Sequence, residues 1–389
     1  MKKIILKLDN KNKYKNYNNQ KINQNLMNKK LNLNKINTIV IGNNYDYYKN
    51  FTDPFINLTY NSLNYNKSII IEPSEYNVFN EIESLSDLIL IINQYQTISN
   101  ITKNKHLESL LKVKDPLVSL NNLIGMKELK NDILDQILFY VQNLHVKNGM
   151  EYMHTVLCGP PGTGKTEVAK IIGTIFAQLG ILKKNTFTKV VRADLIAGYL
   201  GQTAIKTSKV IENSLGGVLF IDEAYALGNE EKRDSFAKEC IDTLCEGLSN
   251  HKDNLMVIIA GYENELNNCF FNYNSGLRSR FPWVFKTDKY TAEDLMLIFN
   301  KKIKEISWKL DHTVSINFFK ENIKNLVNFG RDIELLISKT KICHGRRVFG
   351  LSEDLKTIIT KEDLENGMKL FKKHTTIPNN TNFMSHLYN

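Results

Sequence analysis

One stretch of eight residues, Gly-Pro-Pro-Gly-Thr-Gly-Lys-Thr at positions 159–166, constrains the fold of this chain more than any other feature. It fits the phosphate-binding pattern G-x-x-x-x-G-K-[ST] in full. A short apolar run at 155–158 predicts a buried strand before it, and apolar residues at helical spacing from 167 to 176 predict a helix after it. In such a strand–turn–helix, backbone N–H groups curl around a phosphate and the helix N-terminus adds partial positive charge. The predicted nucleoside-triphosphate contacts are Gly159, Pro160, Pro161, Gly162, Thr163, Gly164, Lys165 and Thr166.

The side chains that complete such a site can also be assigned. Lys165 would reach the β- and γ-phosphates, and the Thr166 hydroxyl would be a ligand of Mg²⁺. A second apolar run, at 218–221, ends in Asp222 and Glu223. Downstream of a phosphate loop, such a strand places its first acid in the Mg²⁺ shell, and the second can polarise the attacking water as a general base. We therefore predict Mg²⁺-dependent hydrolysis of a nucleoside triphosphate.

The net charge of +10 belongs almost entirely to one end of the chain. Residues 1–35 carry ten lysines against one aspartate, which leaves only +1 for the rest. We interpret this stretch as a solvated, disordered tail rich in Asn and Lys, rather than as a nucleic-acid groove on the folded body. Nucleic acid is therefore expected as a partner only through the basic tail.

Composition also limits the compartment and the chemistry. No apolar run approaches the length of a membrane span, and the apolar stretch at 4–6 is too short for a signal peptide. We therefore expect a cytoplasmic protein with no membrane partner. None of the five cysteines is in CxxC spacing or grouped with histidines at metal-ligand spacing. We expect reduced, non-catalytic thiols.

The periodicity of the chain predicts its division into domains. Strand and helix patterns alternate from about residue 120 to 287, as in a parallel α/β sheet, and the pattern turns helical from residue 291. The pairs Thr291/Asp294 and Thr360/Asp363 predict capping boxes. The predicted regions are a tail at 1–35, an accessory region at 36–115, an α/β domain at 116–288, a helical domain at 289–374 and a second tail at 375–389. Within them we predict strands at 38–41 and 68–71 and helices at 84–92, 127–144, 292–306, 316–328, 331–344 and 361–373.

Three phrases resemble those of AAA+ ATPases, in the branch of stage V sporulation protein K and red-type rubisco activase. They are Gly-Gly-Val-Leu-Phe-Ile-Asp-Glu-Ala-Tyr at 216–225, Val-Ile-Ile-Ala-Gly-Tyr at 257–262 and Gly-Leu-Arg-Ser-Arg-Phe at 276–281. The resemblance covers about residues 120–373. It implies an α/β fold, a P-loop AAA+ parallel-sheet domain followed by a small helical lid domain, here after an accessory N-terminal α/β region. It also implies ATP and Mg²⁺ as cofactors and a homo-oligomer, expected as a hexameric ring.

The resemblance assigns roles outside the phosphate loop. Ile124 and Gly125 would line the adenine pocket. Arg278 and Arg280 match the arginine-finger position, from which one subunit's guanidinium reaches its neighbour's γ-phosphate. We favour Arg280 as the finger, with Arg278 as an interface ion-pair residue. The alternative is that both are solvated surface arginines.

Two sensor positions follow from the same resemblance. Arg331 begins a predicted helix where the family places its second sensor, a lid arginine that contacts the γ-phosphate. We prefer it to the arginines at 346–347, which fall late in the helix. The first sensor stays open, because this chain offers only Tyr262, Glu263 or Asn264 where many AAA+ proteins end the strand in a polar Asn.

The sequence Gly198-Tyr199-Leu200-Gly201 resembles the aromatic–hydrophobic–glycine loop that lines the central pore of AAA+ hexamers. Tyr199 and Leu200 could grip a polypeptide without sequence preference, because the aromatic face supplies contact area and Gly201 allows the bend. The alternative is a surface turn with a packed tyrosine. Residues 232–234 could form a second pore loop, but we favour a solvated charge run as their explanation.

Three hypotheses of function follow. The first, which we favour, is an ATP-driven remodeller that pulls on a protein client through the pore of a ring. The second is a nucleic-acid-associated AAA+ ATPase, a loader or helicase helper, tethered by residues 1–35. The third is a regulatory switch that hydrolyses ATP slowly, which the intact Glu223 and the candidate fingers disfavour. The sequence does not identify the client.

Overall fold

The computed structural model of the 389-residue chain describes residues 39–40, 70–71, 82–98, 104–146, 151–199, 201–231 and 233–375. The predicted tail at 1–35 lies outside these residues, as do most of the accessory region before residue 82 and all but the first residue of the tail at 375–389. The chain divides into two compact units. The first comprises Met1–Asn122, Lys130–Glu151 and Ile171–Asn185, and the second comprises Leu123–Leu129, Tyr152–Lys170 and Thr186–Asn389. The domain limits predicted near residues 116 and 289 stay predictions.

The first unit contains a short antiparallel ladder and a cluster of helices. Strand β1 (Ile39–Val40) pairs with β2 (Ile70–Ile71), where the sequence predicts two strands. Helices α1 (Leu85–Ile98), α2 (Lys105–Lys112) and α3 (Lys114–Asn121) follow. The Tyr95 hydroxyl accepts a hydrogen bond from the Asn104 N–H at 2.8 Å, and the Asn104 side chain caps α2. The helix predicted at 84–92 is thus confirmed and extends to Ile98.

A five-stranded parallel sheet forms the centre of the second unit. Its strands are β3 (Thr155–Cys158), β4 (Phe187–Val190), β5 (Val218–Ile221), β6 (Met256–Gly261) and β7 (Trp283–Lys286). Their order across the sheet is β4-β5-β6-β3-β7, and every pairing is parallel. Buried apolar side chains fill the strands at its centre, as is typical of parallel sheets.

Helices alternate with these strands, as the periodicity predicts. They are α4 (Lys127–Val141), α5 (Lys165–Gln178), α6 (Arg192–Leu195), α7 (Thr203–Ser214), α8 (Ser235–Asn250), α9 (Glu263–Cys269) and α10 (Leu277–Arg280). Helix α4 ends at Val141, three residues before its predicted end, and Asn143 then adopts a positive φ of 57°. All five cysteines are free.

The region after the sheet is helical, as predicted. It contains α11 (Ala292–Glu305), α12 (Ile316–Asn322), α13 (Gly330–Arg347) and α14 (Lys361–Thr375), with a two-stranded ladder of β8 (Lys309–Leu310) and β9 (Ile358–Ile359). Both predicted capping boxes form, Thr291 with Asp294 and Thr360 with Asp363. The predicted helix at 316–328 is shorter than expected, because a 3₁₀ turn at Ile323–Asn325 follows α12. Among the described residues, no helix is both long and apolar enough to cross a membrane.

Candidate nucleotide site

The phosphate loop follows the carboxyl end of β3 and leads into α5. Gly162 and Gly164 have φ of 71° and 80°, a left-handed conformation that glycine adopts without steric cost. A Cβ atom at Gly159 would overlap the Thr287 hydroxyl, and one at Gly162 would overlap the Asn328 carbonyl. Within the part of the chain that the structure describes, the N–H groups of Gly162 and Gly164 donate to no acceptor. The loop therefore has glycines where its neighbours leave no room for a side chain, and it keeps backbone donors for an anion.

Lys165 stands at the start of α5 and turns back over the loop. Its ammonium donates to the Gly159 carbonyl at 2.9 Å and to the Pro160 carbonyl at 2.7 Å. Burial lowers the pKa of Lys165, and the nearby Asp222 carboxylate acts in the opposite direction. Two neutral carbonyls are weak partners for a partly buried ammonium, which suits a lysine that exchanges them for phosphate oxygens.

Asp222 and Glu223 follow the carboxyl end of β5. The phosphate loop follows the carboxyl end of β3, so both segments lie at the same end of the parallel strands. The Asp222 carboxylate is half-buried and lies 2.7 Å from the Lys189 ammonium. Glu223 is exposed and adopts a left-handed conformation with φ of 51° and ψ of 47°. Burial and then the Glu223 carboxylate raise the pKa of Tyr225 to about 12. A non-glycine residue in this strained conformation is common at functional sites, and here it turns the Glu223 side chain out of the strand.

Two consecutive residues with positive φ, Gly125 and Met126, shape the turn before α4. A Cβ atom at Gly125 would lie 3.1 Å from the ring of Tyr290. The Tyr290 hydroxyl donates to the Thr163 carbonyl at 3.3 Å. The half-buried Ile124 precedes this turn. The predicted adenine residues, Ile124 and Gly125, thus belong to a segment that contacts Tyr290, and Tyr290 contacts the phosphate loop.

The start of α13 also touches the phosphate loop. The Gly330 N–H donates to the Gly162 carbonyl at 3.1 Å, and Arg331 is the next residue. Phe329, the residue before Gly330, adopts a strained conformation with φ of 46° and ψ of −111°. The carboxylate of Asp332 accepts the Asn328 N–H at 2.7 Å and fixes this bend. Arg331 is exposed and close enough to Lys165 to help lower the pKa of that lysine.

The two candidate finger arginines make different contacts. Arg280 is half-buried and donates to the Ser249 hydroxyl and to the Gly276 carbonyl, both at 2.6 Å. Arg278 is exposed, lies over the Phe271 ring and donates to Asn267 at 3.0 Å. In the described residues, neither arginine has a hydrogen bond to the phosphate loop of its own chain. Arg347, one of the arginines ranked lower as a sensor, is bound instead to Asp363.

Tyr262 and Tyr199 differ in environment. Tyr262 is half-buried, and the Lys165 ammonium lies 5.9 Å from its ring centroid. Of the three first-sensor candidates, Tyr262 thus contacts the phosphate-loop lysine through its ring. Tyr199 is 74% exposed. Its neighbour in the predicted pore loop, Leu200, lies outside the described residues, as does Lys232.

The residues present fit Mg²⁺ bound with a nucleotide. Mg²⁺ in such sites takes one or two protein ligands and completes its shell with phosphate oxygens and water. Asp222 offers a carboxylate, and Thr166 offers a hydroxyl in the first turn of α5. Among the described residues, no group of three or more His, Cys, Asp or Glu could hold a metal by itself. The site therefore has the ligands for a metal that arrives with phosphate, and not a cage that binds metal alone.

Sequence reasoning missed several residues that surround the loop. Thr287 links to Thr163 through their hydroxyls at 2.8 Å, and its N–H donates to the Cys158 carbonyl at 2.8 Å. Lys189 and Tyr290 were also not predicted. Each reaches the loop or Asp222 across the fold, so no local spacing could indicate them.

Known proteins resemble this chain. The family described as "ATPase family associated with various cellular activities (AAA)" matches residues 155–287. A cfxQ-like protein, R730, of Acanthamoeba polyphaga mimivirus is 38% identical over 285 residues, which cover 72% of this chain and 70% of that protein. Stage V sporulation protein K of Bacillus subtilis is 32% identical over 300 residues, covering 70% of this chain and 92% of that protein. Among solved structures, the FIGL-1 AAA domain in complex with ADP matches with a TM-score of 0.46 and 19% identity, over 64% of this chain and 83% of that one.

Proposed function

The chain belongs to the AAA family of ATPases, in the branch that contains stage V sporulation protein K, and from this membership we propose that it is a protein-remodelling motor. ATP and Mg²⁺ would bind at the phosphate loop, with Asp222 and Thr166 as metal ligands and Glu223 as the base. Hydrolysis would take place at the interfaces of a homo-oligomeric ring, by analogy a hexamer. The ring would pull on a protein client through Tyr199 and Leu200.

One observation carries the proposal that a second subunit completes the site. In a single chain, the phosphate loop, Asp222 and Glu223 all follow the carboxyl ends of strands in the same parallel sheet. Arg280 lies before the amino end of β7, bound to Ser249, whereas the phosphate loop follows the carboxyl end of the neighbouring β3. A four-residue strand is about 13 Å long, so the Arg280 side chain has no direct path to its own γ-phosphate position. We therefore infer that the arginine at the γ-phosphate position comes from a neighbouring subunit.

The hydrogen bonds of Arg278 and Arg280 bear on which of the two could reach a neighbouring subunit. Arg280 has two short hydrogen bonds that it would have to give up, while Arg278 is exposed and has one. The sequence favours Arg280, and that prediction stays open. Arg278 is the easier of the two to extend towards another subunit, with Arg280 holding the turn that presents it.

The first experiment is the ATPase rate per subunit across a protein concentration series, with the variants Glu223→Gln, Arg278→Ala and Arg280→Ala beside the wild type. The wild-type specific rate should rise with concentration as rings form, and Glu223→Gln should abolish it. Loss of the finger should lower the rate by roughly 10³-fold or more. Circular dichroism of each variant checks that it is folded.

Mixing variants separates a shared site from a damaged subunit. Equal amounts of Glu223→Gln and the inactive arginine variant should regain about a quarter of the wild-type rate, because a randomly mixed ring pairs an intact Glu223 with an intact arginine at that frequency. A rate that does not depend on concentration and is insensitive to both arginines, or an inactive arginine variant that Glu223→Gln does not rescue, would mean that the site is not shared between chains. The ring proposal would then be wrong.

A further inference from the structure

The Asp222 carboxylate forms an ion pair with the Lys189 ammonium, at a distance of 2.7 Å. Lys189 is on β4, the edge strand beside β5, and pairs in register with Phe220. Alternate residues of a strand share a face, so Asp222, two residues after Phe220, lies on the same face as Lys189. The Asp222 N–H also donates to the Val190 carbonyl at 3.1 Å, which continues the ladder to this point. The ion pair therefore follows from the register of two neighbouring strands.

The local charges explain why the carboxylate needs such a partner. Asp222 is half-buried, and Glu223 next to it brings a second negative charge. Lys165 acts on Asp222 only at longer range, because its ammonium is occupied by the Gly159 and Pro160 carbonyls. The Lys189 side chain is 47% exposed, so it can leave Asp222 for solvent at little cost.

We propose that Lys189 is a placeholder cation, which neutralises Asp222 when no metal is bound and which Mg²⁺ must displace when it arrives with the nucleotide. This inference rests on the proposed role of Asp222 as a Mg²⁺ ligand. It makes Lys189 a residue that sets the Mg²⁺ concentration at which the site fills. The carboxylate cannot hold the ammonium at 2.7 Å and a metal in the same position, so the two cations compete. Removal of Lys189 then makes metal binding easier, whereas a purely structural ion pair would leave it unchanged.

The test is binding of a fluorescent ADP analogue at a fixed concentration while free Mg²⁺ is titrated, with the variant Lys189→Met. The Mg²⁺ concentration for half-maximal binding should fall about fivefold relative to wild type, as expected for the loss of one exposed ion pair. Association of Mg²⁺ with the analogue itself is the same for every variant and cancels. In EDTA, Lys189→Met should bind the analogue no more tightly than wild type, because the proposed gain depends on the metal, and tighter binding there would contradict the competition.

Two variants serve as controls. Lys302→Met removes a similarly exposed lysine that pairs with Glu334 at 2.6 Å on the helical region, and it should leave the Mg²⁺ titration unchanged. Lys189→Arg keeps the positive charge and should behave nearly as wild type. If Lys189→Met needs as much Mg²⁺ as wild type, or more, the competition does not exist and the inference is wrong.

The proposed role of Asp222 is tested in the same titration by Asp222→Asn. A raised Mg²⁺ requirement in this variant together with an unchanged requirement in Lys189→Met overturns the placeholder role and leaves Asp222 as a metal ligand. An unchanged requirement in Asp222→Asn overturns both, because Lys189 cannot compete for a carboxylate that the metal does not use.

Discussion

Tyr290 touches three parts of the nucleotide site. Its ring packs against Gly125, its hydroxyl donates to the Thr163 carbonyl at 3.3 Å, and its ring meets Phe329 edge to face with centroids 5.8 Å apart. Burial raises the pKa of Tyr290 to about 12, so the hydroxyl stays protonated and donates throughout the neutral range. One buried side chain thus joins the base-side turn, the phosphate loop and the start of α13.

Tyr290→Phe should therefore weaken ADP binding about two- to threefold, because it removes one long hydrogen bond to the phosphate loop and keeps the ring. Tyr290→Leu, which also removes the ring contacts with Gly125 and Phe329, should weaken it more than about tenfold. The measurement is titration with a fluorescent ADP analogue. Tyr273→Phe is the matched control, since it removes a shorter tyrosine hydrogen bond, to Asn229 at 2.6 Å, outside the site. Equal affinities of Tyr290→Phe and Tyr273→Phe would show that the Tyr290 hydroxyl does not position the loop.

The residues that sequence reasoning could and could not find differ in how their chemistry is encoded. The phosphate loop and the Asp222–Glu223 pair are contiguous, so the pattern itself indicates their roles. Tyr290 and Lys189 act across contacts between distant segments, and a lone tyrosine or lysine carries no local signal. Their contributions depend on sheet order and side-chain reach, which only the folded chain defines.

At the scale of elements, a buried ion pair joins α13 to α14. Arg347, in the last turn of α13, donates to both oxygens of Asp363, at 2.8 and 2.9 Å, and His344 lies 3.0 Å from the same carboxylate. Asp363 also closes the capping box with Thr360. Burial by itself would raise the pKa of Asp363, but the hydrogen bonds from Arg347 and the Thr360 N–H outweigh it and lower the pKa to about 2.

Asp363→Asn should lower the free energy of unfolding by about 2 kcal/mol at pH 7, because the pair loses its charge while Arg347 stays half-buried. The folded-state pKa is depressed, so this stabilisation is complete above the unfolded pKa of about 3.9 and is lost as pH falls towards about 2. The difference between wild type and variant should thus shrink below about pH 4. Urea unfolding followed by tryptophan fluorescence measures it, since the Trp308 ring lies 5.0 Å from His344.

Asp294→Asn is the control for this experiment. Asp294 closes the same kind of capping box with Thr291, without an arginine partner in that box, so its loss should cost only about 0.5–1 kcal/mol at pH 7. Equal losses for the two variants would mean that capping, and not the ion pair, accounts for the stability.

Most elements could be predicted because their periodicity is local. The strands before the loop and before Asp222 match the expected positions, and each of the four helices after the sheet begins within one residue of its predicted start. The predicted helix at 316–328 was too long, because its end depends on tertiary contacts. Asp332 accepts the Asn328 N–H, and Phe329 adopts a positive φ that no sequence pattern announces for phenylalanine.

At the scale of the whole molecule, the proposed motor needs a surface that engages a client. Tyr199 is 74% exposed in the segment between α6 and α7. An exposed aromatic ring two residues before Gly201, whose φ is 78°, suits a loop that bends and grips. In a ring, one such loop from each subunit would face the same axis, because cyclic symmetry repeats every residue around it.

Tyr199→Ala should therefore abolish stimulation of the ATPase by a permanently unfolded polypeptide, such as reduced and carboxymethylated lactalbumin, while the unstimulated rate stays within about twofold of wild type. Tyr199→Phe keeps the aromatic face and should retain most of the stimulation. Ile205→Ala is the control for loss of an exposed apolar residue, since Ile205 is 70% exposed on the neighbouring α7. If Tyr199→Ala is stimulated as strongly as wild type, the tyrosine is only a surface residue. If Ile205→Ala also loses the stimulation, the grip is not specific to Tyr199.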